Sequence, residues 1–160
     1  MNCKGSIAAL GVLAALVSVS CAGSARKPGE MFSDDATGVT VDLPPVWHDR
    51  LSVRVLSTGM DATGTSALRS IYFNYMPKDT SIASQTLLGV IVYRRTDWEK
   101  LAAEPGPPMG DVLIERDSTV VIAALPQSNP FADGTPDARA FDSLRVDLAR
   151  VKTMVRKKGN

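Results

Sequence analysis

The sequence predicts an α+β domain with a mainly antiparallel sheet of about five to six strands and a long C-terminal helix packed on one face. Short apolar segments rich in alternating or β-branched residues recur between turns that contain Gly, Pro or Asp. Several connections between them have hairpin length, which favours antiparallel pairing. The chain then ends in one segment whose apolar residues recur every three or four positions, as on an amphipathic helix.

The first predicted element is an export signal over residues 1–21. Its apolar run, residues 7–17, has the length of a signal core and is shorter than the roughly 20 residues of a membrane-spanning helix. Residues 18–21 resemble the end of a bacterial lipoprotein signal, in which a small residue precedes a cysteine that is lipidated. Cys21 is therefore the predicted lipid-attachment residue, and the protein is expected to face the periplasm or the cell exterior from a membrane. Cleavage after Ala22 and plain secretion form the alternative.

A flexible tether is predicted over residues 22–30, which are small, polar and interrupted by Pro and Gly. A single α+β domain is expected over residues 31–160. Its first two strands are residues 39–43 and 51–55, where apolar and polar side chains alternate. Pro44 and Pro45 separate these two strands, because proline lacks the N–H group that a strand ladder needs.

Four further strands and a short helix are predicted between residues 68 and 125. The helix is expected to begin at Thr96, whose hydroxyl can cap it, with Glu99 three residues later as in a capping box. The second of the strands is apolar throughout, which is typical of a central strand covered on both faces. The strands are residues 68–76, 87–93, 111–115 and 119–125, the last two joined by a tight turn at 116–118.

The last predicted element is a C-terminal helix of about five turns. Thr135 is a favourable N-cap, and Pro136 suits the first helical position. Acidic residues lie early in this segment and basic residues lie late, in accord with the helix dipole. The apolar stripe expected to cross the sheet consists of Phe141, Leu144, Leu148, Val151 and Val155.

Cysteine placement and charge exclude several classes of function. The only cysteines, Cys3 and Cys21, lie at the N-terminus, so the predicted domain has no disulfide, thiolate zinc site or cysteine nucleophile. The chain has 18 basic and 17 acidic residues, and one of the basic residues, Lys4, belongs to the predicted signal. A balanced surface gives no general attraction to nucleic acid, so no nucleic-acid partner is predicted.

Several features in series resemble a group of small exported bacterial domains. Residues 38–47 contain a Gly-apolar strand, Leu-Pro and a Trp; an apolar strand at 91–93, Asp97-Trp98 and a terminal helix follow. Such domains are similar to the PsbP-like α/β/α sandwich, in which helices flank an antiparallel sheet. The resemblance implies that fold, an exported location and accessory or binding roles, and the group has no catalytic motif to transfer.

Few side chains suit a catalytic site. His48 is the only histidine, and no Gly-x-Ser-x-Gly motif is present, so neither a catalytic triad nor a zinc site is predicted. Trp47 and Trp98 each follow a turn, and either packs against the sheet edge or stacks on a ligand. Trp47, His48 and Trp98 are the candidate ligand-contact residues, and no cofactor or metal is predicted.

The predicted function is a lipid-anchored, non-enzymatic binding or accessory domain of the cell envelope. Its partners would be the membrane, through the lipid, and an envelope protein or a small ligand. A purely structural envelope lipoprotein, with no pocket, is one alternative. The other is a carboxylate-based hydrolase, which requires a pocket holding two or more of Asp49, Asp97, Asp111 and Asp133.

Overall fold

The structure, a computed structural model, describes residues 31–60, 66–107 and 109–159. These residues form eight β-strands and four short helical segments. The strands in chain order are β1 (Met31–Asp34), β2 (Val39–Asp42), β3 (Leu51–Met60), β4 (Ser66–Tyr75), β5 (Gln85–Arg94), β6 (Asp111–Glu115), β7 (Thr119–Ala124) and β8 (Val155–Lys157). The helices are a 3-10 helix (Pro45–Arg50), α1 (Arg95–Ala102), α2 (Pro136–Leu144) and α3 (Leu148–Met154).

The strands form two antiparallel sheets. The smaller sheet has the order β1-β2-β8, and the larger has the order β3-β4-β5-β7-β6. Sequence neighbours pair in both, except that β8 joins β2 and that β7 lies between β5 and β6. None of the helices within the described residues is long and apolar enough to span a bilayer.

The predicted fold class is wrong in two respects. The chain builds two sheets instead of one sheet of five to six strands. No long C-terminal helix lies across a sheet, because the segment predicted as one helix divides into α2, α3 and strand β8. The helical content is therefore carried by short segments only, and the fold consists mostly of antiparallel sheet.

The break between α2 and α3 has local and tertiary causes. Arg145 follows α2 in an extended conformation, with ψ at 142°. Asp147 caps α3, because its carboxylate accepts a hydrogen bond of 2.7 Å from the Arg150 N–H. The carbonyl oxygen of Leu144 has no partner within α2, because it lies at the end of the helix. It accepts a hydrogen bond of 2.8 Å from Trp47 Nε1. This bond replaces the one that a continuing helix would have supplied.

Four of the five residues of the predicted apolar stripe are nevertheless buried, and the fifth, Leu148, is half-buried. Phe141 and Val151 are fully buried, and Val155 is 5% exposed, although Val155 belongs to β8 and not to a helix. The main core combines such residues from α2 and α3 with side chains from both sheets. A spacing of three and four thus correctly indicated burial, while the continuous helix it implied does not form.

Strand β5 separates two cores, as its apolar sequence predicts. Leu88 and Val90 belong to the main core, and Ile91 and Tyr93 belong to a second core on the other side of the strand. Side chains of successive strand residues point to opposite faces, so a strand buried on both faces is apolar throughout. Helix α1 covers the second core with Trp98.

Helix α1 does not use the predicted cap. It begins at Arg95, so Thr96 lies inside the helix, and no side chain caps its N-terminus. The Arg95 N–H instead donates to the Ser118 carbonyl at 2.9 Å, and the Arg95 guanidinium donates to the Arg116 carbonyl at 2.8 Å. Contacts with the turn between β6 and β7 therefore fix the start of this helix.

Candidate functional site

The structure places the predicted ligand-contact residues apart. Trp47 is fully buried in the main core, 6.1 Å from the Phe73 ring, with its indole N–H bonded to Leu144. His48 follows it in the 3-10 helix and is half-buried. Trp98 packs 6.0 Å from the Tyr93 ring over the second core. These side chains do not form one site, and Cys21 lies outside the described residues.

The four aspartates of the hydrolase alternative belong to separate elements. Asp49, Asp111 and Asp133 are exposed, and Asp97 in α1 forms an ion pair of 3.7 Å with Arg94 at the end of β5. None of the four lines the cavity beside Tyr72 or the cavity beside Arg69 and Arg116. Within the part of the chain that the structure describes, no group of three or more His, Cys, Asp or Glu could hold a metal ion.

A cavity of about 390 Å³ lies at one end of the larger sheet, beside the C-terminal end of β7. We call it the Tyr72 cavity. Its volume is within the range of about 300–1,000 Å³ that is usual for small-molecule sites. Its walls come from β4, β5, the segment after β7, and α2. The lining residues are Tyr72, residues 85–86, residues 124–128, Pro130 and Phe141.

The ring of Tyr72 lies beside a glycine in the neighbouring strand. Gly89 in β5 pairs with Tyr72 on one side and with Ala124 on the other. A Cβ atom at Gly89 would lie 3.4 Å from both the Tyr72 ring and the Ala124 methyl group. The aromatic ring therefore lies against the central strand beside a glycine, at a distance that would give a Cβ atom ordinary van der Waals contact.

The hydroxyl group of Tyr72 is buried and has no hydrogen-bond partner among the described residues. A buried polar group left in this state costs about 1–3 kcal/mol. Buried hydroxyls in native proteins almost always have a partner, so each exception calls for an explanation. Tyr72 lines the cavity, and an occupant whose acceptor atom reached this hydroxyl would supply the missing bond.

The segment that follows β7 is held in place by two anchors. The Asn129 side chain donates to the Ala138 carbonyl at 2.8 Å and accepts from the Phe131 N–H at 3.0 Å. The Arg145 guanidinium donates to the Pro126 carbonyl at 3.2 Å. These bonds tie one wall of the cavity to α2 and to the residue after it, so the wall is formed before any occupant arrives.

Aromatic packing holds Phe141, which lines the cavity. The Phe141 ring lies 5.9 Å from Tyr75 and 5.6 Å from Phe131, in edge-to-face contacts. The Tyr75 hydroxyl donates a hydrogen bond of 2.6 Å to Asp137 Oδ1, which also accepts from the Lys78 N–H at 3.0 Å. The buried carboxylate thus fixes the tyrosine that supports the cavity wall.

This contact changes the acidity of both partners. The hydrogen bond from Tyr75, followed by the one from the Lys78 N–H, lowers the pKa of Asp137 below its ordinary value of 3.8. Burial, together with the bond to Asp137, raises the pKa of Tyr75 above its ordinary value of 10.0. The ionised carboxylate and the neutral phenol are therefore the stable pair at neutral pH.

Removing the Tyr75 hydroxyl is expected to destabilise the protein, whereas removing the Tyr72 hydroxyl is not. Tyr75→Phe deletes a buried hydrogen bond to a carboxylate and should cost about 1–2 kcal/mol. Tyr72→Phe deletes the same atom without breaking a described bond, so the free energy of unfolding should stay unchanged or rise. Urea unfolding of the two variants measures this difference. Equal losses in both would contradict the assignment of the two hydroxyls.

Stability is expected to depend on pH at both extremes. Because the pKa of Asp137 is lowered in the folded state, its contribution is complete above the ordinary value of 3.8 and is lost as pH falls through the folded value. Because the pKa of Tyr75 is raised, its contribution is complete below 10.0 and is lost as pH rises further. Urea unfolding midpoints measured at a series of pH values test both expectations. In Asp137→Asn, the loss of stability at acid pH should be smaller than in the wild type. An equal loss in that variant would exclude Asp137 as its source.

The sequence alone contains one sign of this cavity. Gly89 interrupts an otherwise apolar strand, and a glycine inside a strand often marks the close approach of another group. Tyr72, Ala124 and Asn129 have no comparable local signal, because their roles depend on which strands become neighbours.

Comparisons with known proteins give no relative. The chain matches no protein-family model, and no curated protein and no solved structure is significantly similar to it. The resemblance to PsbP-like domains stays a prediction.

Proposed function

We propose that this protein is an exported, lipid-anchored, non-enzymatic binding domain of the cell envelope, and that the Tyr72 cavity is its ligand site. The signal-like residues 1–21 and the lipoprotein-type Cys21 support the location. The observation that carries the binding role is that Tyr72, whose buried hydroxyl has no partner among the described residues, lines a ligand-sized cavity. A purely structural envelope protein would have no need of such a cavity.

The lining of the cavity favours an uncharged ligand with an apolar body. None of the described residues that line it is charged, so a charged molecule would lose hydration without gaining an ionic partner. Leu125, Pro126 and Phe141 offer apolar surface, while Gln127 and Ser128 are exposed and polar. The ligand class is therefore a small neutral molecule with a ring or branched chain and a hydrogen-bond acceptor for Tyr72.

Binding can be tested with benzamide as a neutral probe and benzoate as its charged counterpart. Two-dimensional ¹H–¹⁵N NMR spectra of the full chain should show saturable shifts for the amides of Ala124, Leu125, Gln127 and Ser128 as benzamide is added. Benzoate should cause much smaller shifts, because the lining offers no cation. Shifts that are absent with benzamide, or that are scattered over the surface, would contradict the proposal.

A variant connects the binding to the hydroxyl. Tyr72→Phe should weaken benzamide binding by about threefold to tenfold, the worth of one neutral hydrogen bond. Ser143→Ala also removes a single hydroxyl, but from an exposed residue of α2 outside the cavity lining, so it should leave binding unchanged. Equal affinity for benzamide in the wild type and in Tyr72→Phe would show that the Tyr72 hydroxyl does not contact the ligand.

The proposed anchor has its own test, the intact mass of the protein in the membrane fraction. Processing as a lipoprotein should give a chain that begins at Cys21 and carries a diacylglyceryl addition. A soluble chain that begins at Gly23 would instead indicate cleavage after Ala22 and secretion. A chain that retains Met1 would contradict export by either route.

A further inference from the structure

A second cavity, of about 230 Å³, lies between the turn that joins β1 to β2 and the larger sheet. We call it the Arg69–Arg116 cavity, after the two arginines in its lining. The turn contributes Ala36 and Thr37. The remaining lining residues are Ser57, Leu68, Arg69, Val92, Arg116 and Thr119.

Arg69 is fixed by contacts on three of its nitrogen atoms. Its Nε and Nη2 donate to Asp34 Oδ1 at 2.8 and 2.5 Å, and its Nη1 donates to the Ser57 hydroxyl at 2.6 Å. The other oxygen of Asp34 accepts from the N–H and the hydroxyl of Thr37, at 3.1 and 2.6 Å. Asp34 is only 5% exposed, so both of its oxygens are engaged and it is not available to a second cation.

Arg116 is fixed in a different way. Its Nη1 donates to the Thr37 carbonyl, and its Nη2 donates to the Gly38 carbonyl at 3.0 Å. Among the described residues, no carboxylate oxygen lies within 4.0 Å of its guanidinium. Backbone carbonyls orient the group but leave its charge without a counterion, and its other N–H groups stay available.

The balance of charge at this cavity is positive. Asp34 offsets Arg69, and the nearby Asp35 forms its own pair of 2.6 Å with Lys158. Of the two arginines that line the cavity, Arg116 is the one without a carboxylate partner among the described residues. We propose that the Arg69–Arg116 cavity binds a phosphate-type oxyanion, whose oxygens accept from the guanidinium groups held in place by Asp34 and the turn.

The cavity volume limits the occupant to a small group. A free phosphate ion fits this description, and so does the headgroup phosphate of an anionic lipid. Both sources present the same tetrahedral set of oxygens to arginine. This site is separate from the Tyr72 cavity, so loss of one binding activity leaves the other intact and the two proposals fail independently.

Inorganic phosphate, added to the full chain at constant low ionic strength, provides the test. The Nε–H signals of Arg69 and Arg116 should shift in NMR spectra in a saturable manner. Arg116→Gln should weaken phosphate binding about tenfold or more. Arg54→Gln removes the same charge from an exposed residue of β3 outside the cavity and should leave the affinity unchanged. Linear shifts that are alike in all three proteins would overturn the proposal.

Two further arms keep the test decisive. If thermal unfolding shows that Arg116→Gln is not folded, Arg116→Lys keeps the charge but loses the forked donor geometry, and it should still weaken phosphate binding severalfold. Unchanged affinity in a folded lysine variant would overturn the proposal.

Sedimentation with phosphatidylglycerol and phosphatidylcholine vesicles identifies whether the bound phosphate belongs to a lipid headgroup or to a free anion. Binding to phosphatidylglycerol alone, competed by phosphate and lost in the variant, indicates a lipid headgroup, whereas saturable phosphate binding without vesicle binding indicates a free anion.

Discussion

Replacing Trp47 with alanine is expected to destabilise the protein by about 3–5 kcal/mol, the usual cost of deleting a large buried aromatic side chain. Trp47 is fully buried and contacts Phe73 in the main core. Its loss would leave a cavity and would also leave the Leu144 carbonyl without its hydrogen bond at the end of α2. One substitution therefore removes both packing in the core and the contact that closes a helix.

Urea unfolding of the full chain measures this effect. Val46→Ala is the matched control, because Val46 is the preceding residue, is 66% exposed and should change the free energy of unfolding by less than about 0.5 kcal/mol. Trp47→Phe should fall between the two, since it keeps an aromatic ring but loses the bond to Leu144. Similar unfolding midpoints for Trp47→Ala and Val46→Ala would show that Trp47 is not in the core.

Substitution of Gly110 by alanine is expected to cost about 3 kcal/mol, the upper end of the range for overpacking. A Cβ atom at this position would lie 2.3 Å from the Ala123 carbonyl oxygen and 3.0 Å from the carbonyl carbon. Both atoms belong to the backbone of β7, so no side-chain rotation can relieve the clash. Gly110 immediately precedes β6, and the pairing of β6 with β7 would have to shift.

Gly159→Ala provides the control for Gly110→Ala. It makes the same change of side chain where nothing lies within 4 Å, so its effect should stay within about 0.5 kcal/mol. Hydrogen exchange adds a local measurement, because the amide protons of β6 should exchange faster in Gly110→Ala. Unaltered exchange and stability in that variant would mean that the two backbones do not approach as closely as described.

The parts of the fold that were predictable have strong local signals. The apolar run of residues 87–93 is a central strand buried on both faces, within the longer β5. The tight turn at residues 116–118 joins β6 to β7 where the sequence indicated. Each of these two elements is indicated by a pattern within a short segment of the chain, so its prediction does not require the order of the strands in the sheet.

The parts that were not predictable depend on distant residues. The stripe from Phe141 to Val155 fits one helix, yet Trp47, 97 positions before Leu144, supplies the bond that stands at the break. Strands β1 and β8 have four and three residues, too short for a periodic signal, and become strands by pairing with β2.

The candidate site was not predictable for the same reason, because it depends on contacts between distant residues. The sequence made Trp47 and Trp98 candidate ligand-contact residues, but the two side chains pack in different cores. The Tyr72 cavity arises from residues of β4, β5 and β7 that meet only in the finished sheet. Without the strand order there is no way to know that Gly89 lies between Tyr72 and Ala124.

The smaller sheet takes its strands from both ends of the described chain. β2 pairs with β8, and the Thr40 hydroxyl donates to the Arg156 carbonyl across 116 positions. In any delivery that proceeds from the N-terminus, whether from a ribosome or through a narrow channel, β2 emerges before the strands of the larger sheet and β8 emerges after them. The smaller sheet therefore stays incomplete until β8 is released, and deletion of β8 would leave β2 with β1 as its one strand partner among the described residues.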